Sequence, residues 1–241
     1  VPQDDRPVSL QYTVDTAKAA GMTVLTPPQN LISGKTYKGQ ADQIWNWVEQ
    51  NAGRADVMVL STDTLIYGGL VDSRKHNLPL STLENRLKRI EALKANHKNT
   101  RIYGFGTVMR SPRASGGGTE PSYYADYGPT IFQIAALQDK LDAGTLTQAE
   151  TQKLMSLQAS VPVEYLQDWF SRRQKNMQVN KDLIDEARNG VFAYFALGHD
   201  DTSQLSQSAL EGRYLNQYSK GIPRTQYGSF PGADQLGLLL M

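Results

Sequence analysis

The chain has 241 residues, enough to bury a substantial core as one large domain or two small ones. Hydrophobic residues make up 39% of it and charged residues 20%, with a formal net charge of +1, so no long-range field draws it to nucleic acid or an anionic membrane. The absence of cysteine excludes disulfides, thiolate nucleophiles and cysteine-ligated metals, and no apolar run approaches the roughly 20 residues that span a bilayer.

The chain opens on Asp4-Asp5-Arg6-Pro7, and Val1-Pro2-Gln3 is too short to form the strand expected before it. Leu10, Val14 and Ala17 then fall at helical spacing, and Gly21 closes that helix before an apolar strand from Met22 to Leu25. After Pro27-Pro28 a second helix runs from about Ala41 to Ala52 with Ile44, Trp45 and Val48 on one face. Asp56 to Ser61 is a continuous apolar run, the pattern of a strand covered on both sides. The next helix carries Leu83, Leu87, Ile90 and Leu93 as its buried stripe, with Ser81 and Glu84 at capping-box spacing, and Arg101 to Met109 is again a strand.

From Ser122 to Asn189 helical patterning replaces the alternation. Thr147 and Glu150 form a second capping-box pair, Pro162 suits a first helical position, and Asn189-Gly190 is a terminator, which predicts three helices. Strand (Val191 to Leu197), helix (Ser206 to Lys220) and strand (Thr225 to Phe230) follow. The expected fold is α/β, a doubly wound, mainly parallel sheet of five to six strands with a helical insertion; a partial β/α barrel gives the same linear pattern. Residues 1–121 and 190–241 would form the sheet and 122–189 the insertion, within one composite domain. The end at Met241 falls inside an apolar run, which reads as truncation.

Ligands of open α/β sheets bind beyond the carboxyl ends of the strands, and acidic clusters recur there. Asp63 ends the best strand and is followed by Tyr67-Gly68-Gly69 and Arg74. The glycines allow either a close backbone approach to a ligand or a tight turn, and the tyrosine offers a flat face. His199-Asp200-Asp201 offers a general base beside carboxylates, or oxygens for a hard cation, with helix capping as the plainer role. Asp234 and Glu211 have the same double reading, as cap or solvated face on one side and site residue on the other. Asp4 and Asp5 diverge on an extended segment, and Arg6 can hold an anion or pair with an aspartate of a neighbouring loop. Arg110 opens a loop with Gly116 to Gly118 and Glu120 that can close over a polar substrate.

Several signatures fail. Gly34-Lys35-Thr36 lacks the glycine a P-loop needs at Gln29, and Gly104-x-Gly106 reaches Met109 where a dinucleotide fingerprint needs glycine, so no nucleotide cofactor motif is present. There is no G-x-S-x-G elbow, and three scattered histidines do not make a zinc site. Mg²⁺ or Ca²⁺ held by aspartates stays open as a cofactor.

Asp4-Asp5-Arg6-Pro7, Ser61-Thr62-Asp63 with Tyr67-Gly68-Gly69-Leu70 and Ser73-Arg74, Tyr123-Tyr124, Arg173 to Asn180, Asp200-Asp201 with Glu211, and Gly232-Ala233-Asp234 together resemble a bacterial family catalogued as domain of unknown function 4127. The resemblance runs the length of the chain with its motifs in order. It implies that these positions matter together and that members continue past Met241, and it implies no established activity. Ser9 stands where the family usually has asparagine, and Gln235 where a glutamate usually follows the last aspartate. Were that glutamate a proton donor, this chain would be impaired there.

Three functions fit. The first is a hydrolase of a polar, carbohydrate-like substrate with Asp5, Asp63 and Asp201 as acid, base or nucleophile; Asp4, Arg6, Tyr67, Arg74, Arg110, His199, Asp200, Glu211 and Asp234 would bind the substrate. The second is a divalent-metal phosphoester-type hydrolase, which requires three carboxylate oxygens converging on one point. The third is a non-catalytic domain for a sugar or cell-envelope fragment. The expected partner is a small polar ligand or carbohydrate, with no nucleic acid and no membrane span. The lack of cysteine and the many Gln, Ser, Thr and Tyr residues point to a periplasmic or secreted bacterial protein, with a cytoplasmic one as the alternative.

Overall fold

A computed structural model describes residues 1–114 and 117–241; Gly116 of the predicted loop lies outside them. Among them is one sheet of four parallel strands, β1 (Val57–Ser61), β2 (Arg101–Val108), β3 (Tyr194–His199) and β4 (Tyr227–Pro231), lying side by side in chain order. Parallel neighbours need crossovers, and helices supply them. α1 (Gln11–Ala19) and α2 (Ala41–Asn51) precede β1, and α3 (Thr62–Ile66), α4 (Leu70–Lys75) and α5 (Leu80–Asn96) connect it to β2. The passage to β3 is longer, through α6 (Tyr124–Asp142), α7 (Gln148–Ser160) and α8 (Val163–Arg188). α9 (Gln207–Tyr218) leads to β4 and α10 (Leu236–Leu239) follows it.

The expectation of five to six strands is corrected to four. Met22 to Leu25 is apolar but pairs with no strand among the described residues; it lines a groove of about 720 Å³. Before β1 there is only Val1, whose amino group donates to Val59 O (2.7 Å) and whose carbonyl accepts from Ser61 N (3.0 Å), the bonds of a parallel bridge at the edge of β1. Because side chains alternate across a strand, the two faces differ. Met58, Leu60, Ile102, Phe195 and Leu197 pack on one face in the main core with Trp45, Leu83, Ile90, Val179 and Leu183 from α2, α5 and α8. Phe105 and Ala196 meet Leu236 of α10 on the other, which is the groove side. Val57 is 43% exposed there, so β1 is not covered on both sides as its apolar run suggested.

Helix ends follow their local chemistry with two shifts. Thr147 and Glu150 form the capping box at α7, and Asn189 ends α8 with Gly190 at φ +76°. Ser81 does not cap α5, because that helix starts one residue earlier, after Pro79, whose extended backbone sets its entry. Pro162 is likewise the residue before α8, not its first. β3 begins at Tyr194 and not Val191, since Phe192 turns into the core and fills the space over Gly104.

Gly39 packs on the Tyr67-Gly68-Gly69 turn so closely that a Cβ would lie 1.9 Å from Gly68 O. A Cβ on Gly69 would meet Ser33 Oγ at 1.8 Å. The close approach these glycines permit is therefore made by the chain's own 33–39 segment. Gly39→Ala sets backbone against backbone and is expected to cost roughly 1–3 kcal/mol, a fall of roughly 2–12 °C in the unfolding midpoint. An unchanged midpoint in a thermal melt would refute that packing.

Candidate functional site at the strand ends

All four parallel strands release their chain at one end of the sheet, and the predicted acidic residues collect there. At β1, Ser61 Oγ accepts from Thr64 N (3.3 Å) and caps α3, so strand passes directly into helix with Asp63 in the first turn. Asp63 is 2% exposed, and its Oδ2 accepts from Thr107 Oγ1 (2.7 Å) and Gln3 Nε2 (3.1 Å). Burial pushes its carboxyl up to about 6 against the hydrogen bonds that favour the charged form, and the nearby Asp200 charge pushes the same way.

Asp200 follows β3. It accepts from Arg74 Nη2 at 2.5 Å, and Arg74, on α4, is 4% exposed with its Nε unpartnered. Arg74 is thus a buried cation committed to Asp200, and Asp63 has no cationic partner among the described residues. Asp201 is used differently: Oδ1 accepts from Ser203 N (2.9 Å) and Oδ2 from Ser111 N (3.3 Å), which locks the β3 loop to the β2 loop. His199 is the last residue of β3 and projects to the opposite face. Its Nε2 meets Ser229 Oγ at 2.7 Å and its ring packs on Gly212 of α9, so it stands apart from Asp200. Burial lowers its pKa.

At β2, Arg110 bonds to Glu120 through Nε (2.7 Å) and to Thr119 Oγ1 (2.6 Å), closing the loop upon itself. Beneath it Arg173 of α8, 1% exposed, grips Glu211 of α9 with two bonds of 2.7 Å and donates to the carbonyls of Met109 (2.7 Å) and Arg110 (2.9 Å). Glu211 therefore points back to the strand end, through an arginine. At β4, Gly232 takes φ +89° and Asp234 accepts from Arg6 Nη2 (2.8 Å), while Arg6 Nε donates to Asp4 Oδ2 (2.8 Å). Asp5 diverges from Asp4 and accepts from the Tyr37 hydroxyl.

Tyr67 is buried and stacks on His76 with ring centroids 4.9 Å apart, so one face of its ring is taken. The strand ends thus hold two charged groups, Asp63 with the charge of Asp200 and its partner Arg74, and Arg6 with Asp4 and Asp234; Asp201, Arg110 and Glu211 are bonded into the loops around them and His199 stands apart. Gln3, Thr107 and Arg173 belong there without having been singled out as site residues. Thr107 had a signal: the alternation of β2 puts it on the Phe105 face, and Phe105 is paired with Ser61, two residues before Asp63. Among the described residues no three His, Cys, Asp or Glu side chains converge as metal ligands, so the geometry that the divalent-metal reading requires is not found there.

The family model described as "Protein of unknown function (DUF4127)" matches residues 1–241, the whole chain. The chain belongs to the DUF4127 family. Neither the curated proteins nor the solved structures offer a match. Of the residues that carried the resemblance in the sequence, Arg173 and Glu211 bond to each other. Among the described residues of this DUF4127 chain, no helix is long and apolar enough to cross a membrane.

Proposed function

We propose that this chain is a hydrolase domain for a polar, carbohydrate-like substrate, with Asp63 as the proton-carrying carboxyl and the Arg74-bound Asp200 as its counterpart. The observation that carries the reading is the contrast between two neighbouring carboxyls: Asp63 buried without a cation and titrating near 6, Asp200 bound to Arg74. Pairs of acids whose environments push them apart are how one site holds both an acid and a base near neutral pH. Asp4, Arg6 and Asp234, half-open to solvent through the arginine and Asp234, would meet the hydroxyls of the substrate. An extracytoplasmic setting suits such a substrate.

A panel of chromogenic glycosides and soluble polysaccharides tests the reading. Turnover is expected to fall by at least about 100-fold in Asp63→Asn and in Asp200→Asn, with a pH limb near 6 that Asp63→Asn abolishes. Saturable sugar binding without turnover would instead support the non-catalytic ligand-binding reading, and neither binding nor turnover would remove the carbohydrate class.

A further inference from the structure

The end of β2 is held by α8. Asn180 Nδ2 donates to Thr107 O (3.3 Å), and Arg173, nearer the start of that helix, donates to the carbonyls of Met109 and Arg110. The segment Arg173 to Asn180 thus fixes the backbone of the residue that bonds Asp63 from the next strand. We propose that Thr107 is the positioning residue of Asp63: its hydroxyl holds that carboxyl at the strand ends and sets the pH at which it releases its proton.

Thr107 reaches Asp63 twice. Its Oγ1 donates to Oδ2 at 2.7 Å, and its backbone bonds the same carboxyl. It is 5% exposed and lies opposite Gly198 in the register of β2 and β3, so strand pairing holds it on one side and Asn180 holds its carbonyl. Gln3 supplies a longer bond to Oδ2, 3.1 Å from a neutral amide. The two donors are not equivalent. A hydroxyl gives a proton to an ionised carboxylate and can accept one from a carboxylic acid, whereas an amide nitrogen only gives. Thr107 can therefore serve Asp63 in both of its states.

Burial drives Asp63 towards its neutral form, and the Thr107 hydroxyl gives the strongest of the bonds that oppose it. The charged and titratable groups around α3 come from several elements. Asp200, after β3, adds its charge in the same direction as burial and has Arg74 of α4 as its own partner. Tyr67, which ends α3, feels the charge of Asp63 in turn. Arg86 of α5 donates to Ile66 O, at the other end of α3 from Asp63. The contacts from α2 and β1 are neutral, the Trp45 indole at Leu65 O and the Ser61 cap. Removing one hydroxyl from β2 leaves all of these in place.

A role for Thr107 in turnover rests on the hydrolase reading above, but its effect on Asp63 does not, and the test separates them. The Asp63 carboxyl is titrated by ¹³C NMR in the parent, Thr107→Val and Thr107→Ser, beside pH profiles of glycoside turnover. Valine suits a strand and keeps the backbone bond while it removes the hydroxyl, and serine keeps the hydroxyl. The midpoint of Asp63 is expected to rise by roughly one to two pH units in Thr107→Val and to return to the parent's in Thr107→Ser. Thr107→Ala, which also lacks the hydroxyl, should move it in the same direction. The limb above which turnover is lost should move to higher pH with the midpoint, because the acid stays protonated further. A midpoint unmoved in Thr107→Val and Thr107→Ala, or one that Thr107→Ser does not restore, would overturn the proposal whatever the turnover. A midpoint that moves and is restored, in a protein that cleaves none of the glycosides, upholds the role of Thr107 towards Asp63 and overturns the glycoside-hydrolase reading alone.

Discussion

Asp63→Asn is expected to make the folded protein more stable above pH 6 while it removes turnover. The folded carboxyl titrates near 6 and the ordinary value is 3.8, so between those limits the folded state holds a proton that the unfolded state has released. Stability falls with rising pH wherever the folded state binds more protons. The contribution of Asp63 is therefore a penalty, absent below about pH 4, growing to about pH 6 and complete above it, with a size on the order of 3 kcal/mol. Asparagine has no proton to lose, and its carbonyl oxygen can take the bonds from Thr107 and Gln3 that Oδ2 takes now. Urea unfolding of parent and variant should coincide near pH 4 and separate in favour of the variant near pH 8. A variant that is weaker near pH 8 would mean that the ionised carboxylate stabilises the fold, and Asp63 could not then be the proton-carrying acid of the proposed hydrolase.

The parallel sheet and the gathering of acidic residues at its strand ends were legible because both rest on short-range signals. β1 is an apolar run up to Ser61, β2 is rich in aromatic and β-branched residues between polar loops, and the acidic residues that follow the strands come within a few positions of their ends. Two errors in strand placement have a common cause. Met22 to Leu25 and Val191 to Ala193 look like strand material, but a strand exists only where a neighbour accepts its backbone bonds; among the described residues the first has no such neighbour, while Phe192 spends the second on core packing. What no local pattern reveals is who neutralises whom. Arg6 reaches Asp234 across 228 positions and Arg74 reaches Asp200 across 126, so an aspartate read as a free site group can prove to be half of an ion pair. The buried state of Asp63 is equally remote in origin, since it depends on Gln3 and Thr107 closing over it from two other parts of the chain.

The largest loss of stability is expected at Glu211. Its carboxylate is the counterion of Arg173, whose guanidinium is 1% exposed, lies over the Trp169 ring and among the described residues is otherwise hydrogen-bonded to the neutral oxygens of Met109, Arg110 and Ser208. Glu211→Ala would leave a full positive charge in that setting, a defect that costs about 3–5 kcal/mol and lowers the midpoint of a domain of this size by roughly 6–20 °C. The penalty belongs to the abandoned charge more than to the lost attraction, which gives a sharper test. Arg173→Met combined with Glu211→Leu removes both charges and restores apolar volume, so the double variant should melt above Glu211→Ala even though it lacks more of the native bonds. It would still lose the two donors that hold the carbonyls at the end of β2, and with them the seating of the Arg110–Glu120 loop. A double variant less stable than the single one would show that those two backbone bonds, and not charge compensation, are why an arginine is buried beneath the strand ends.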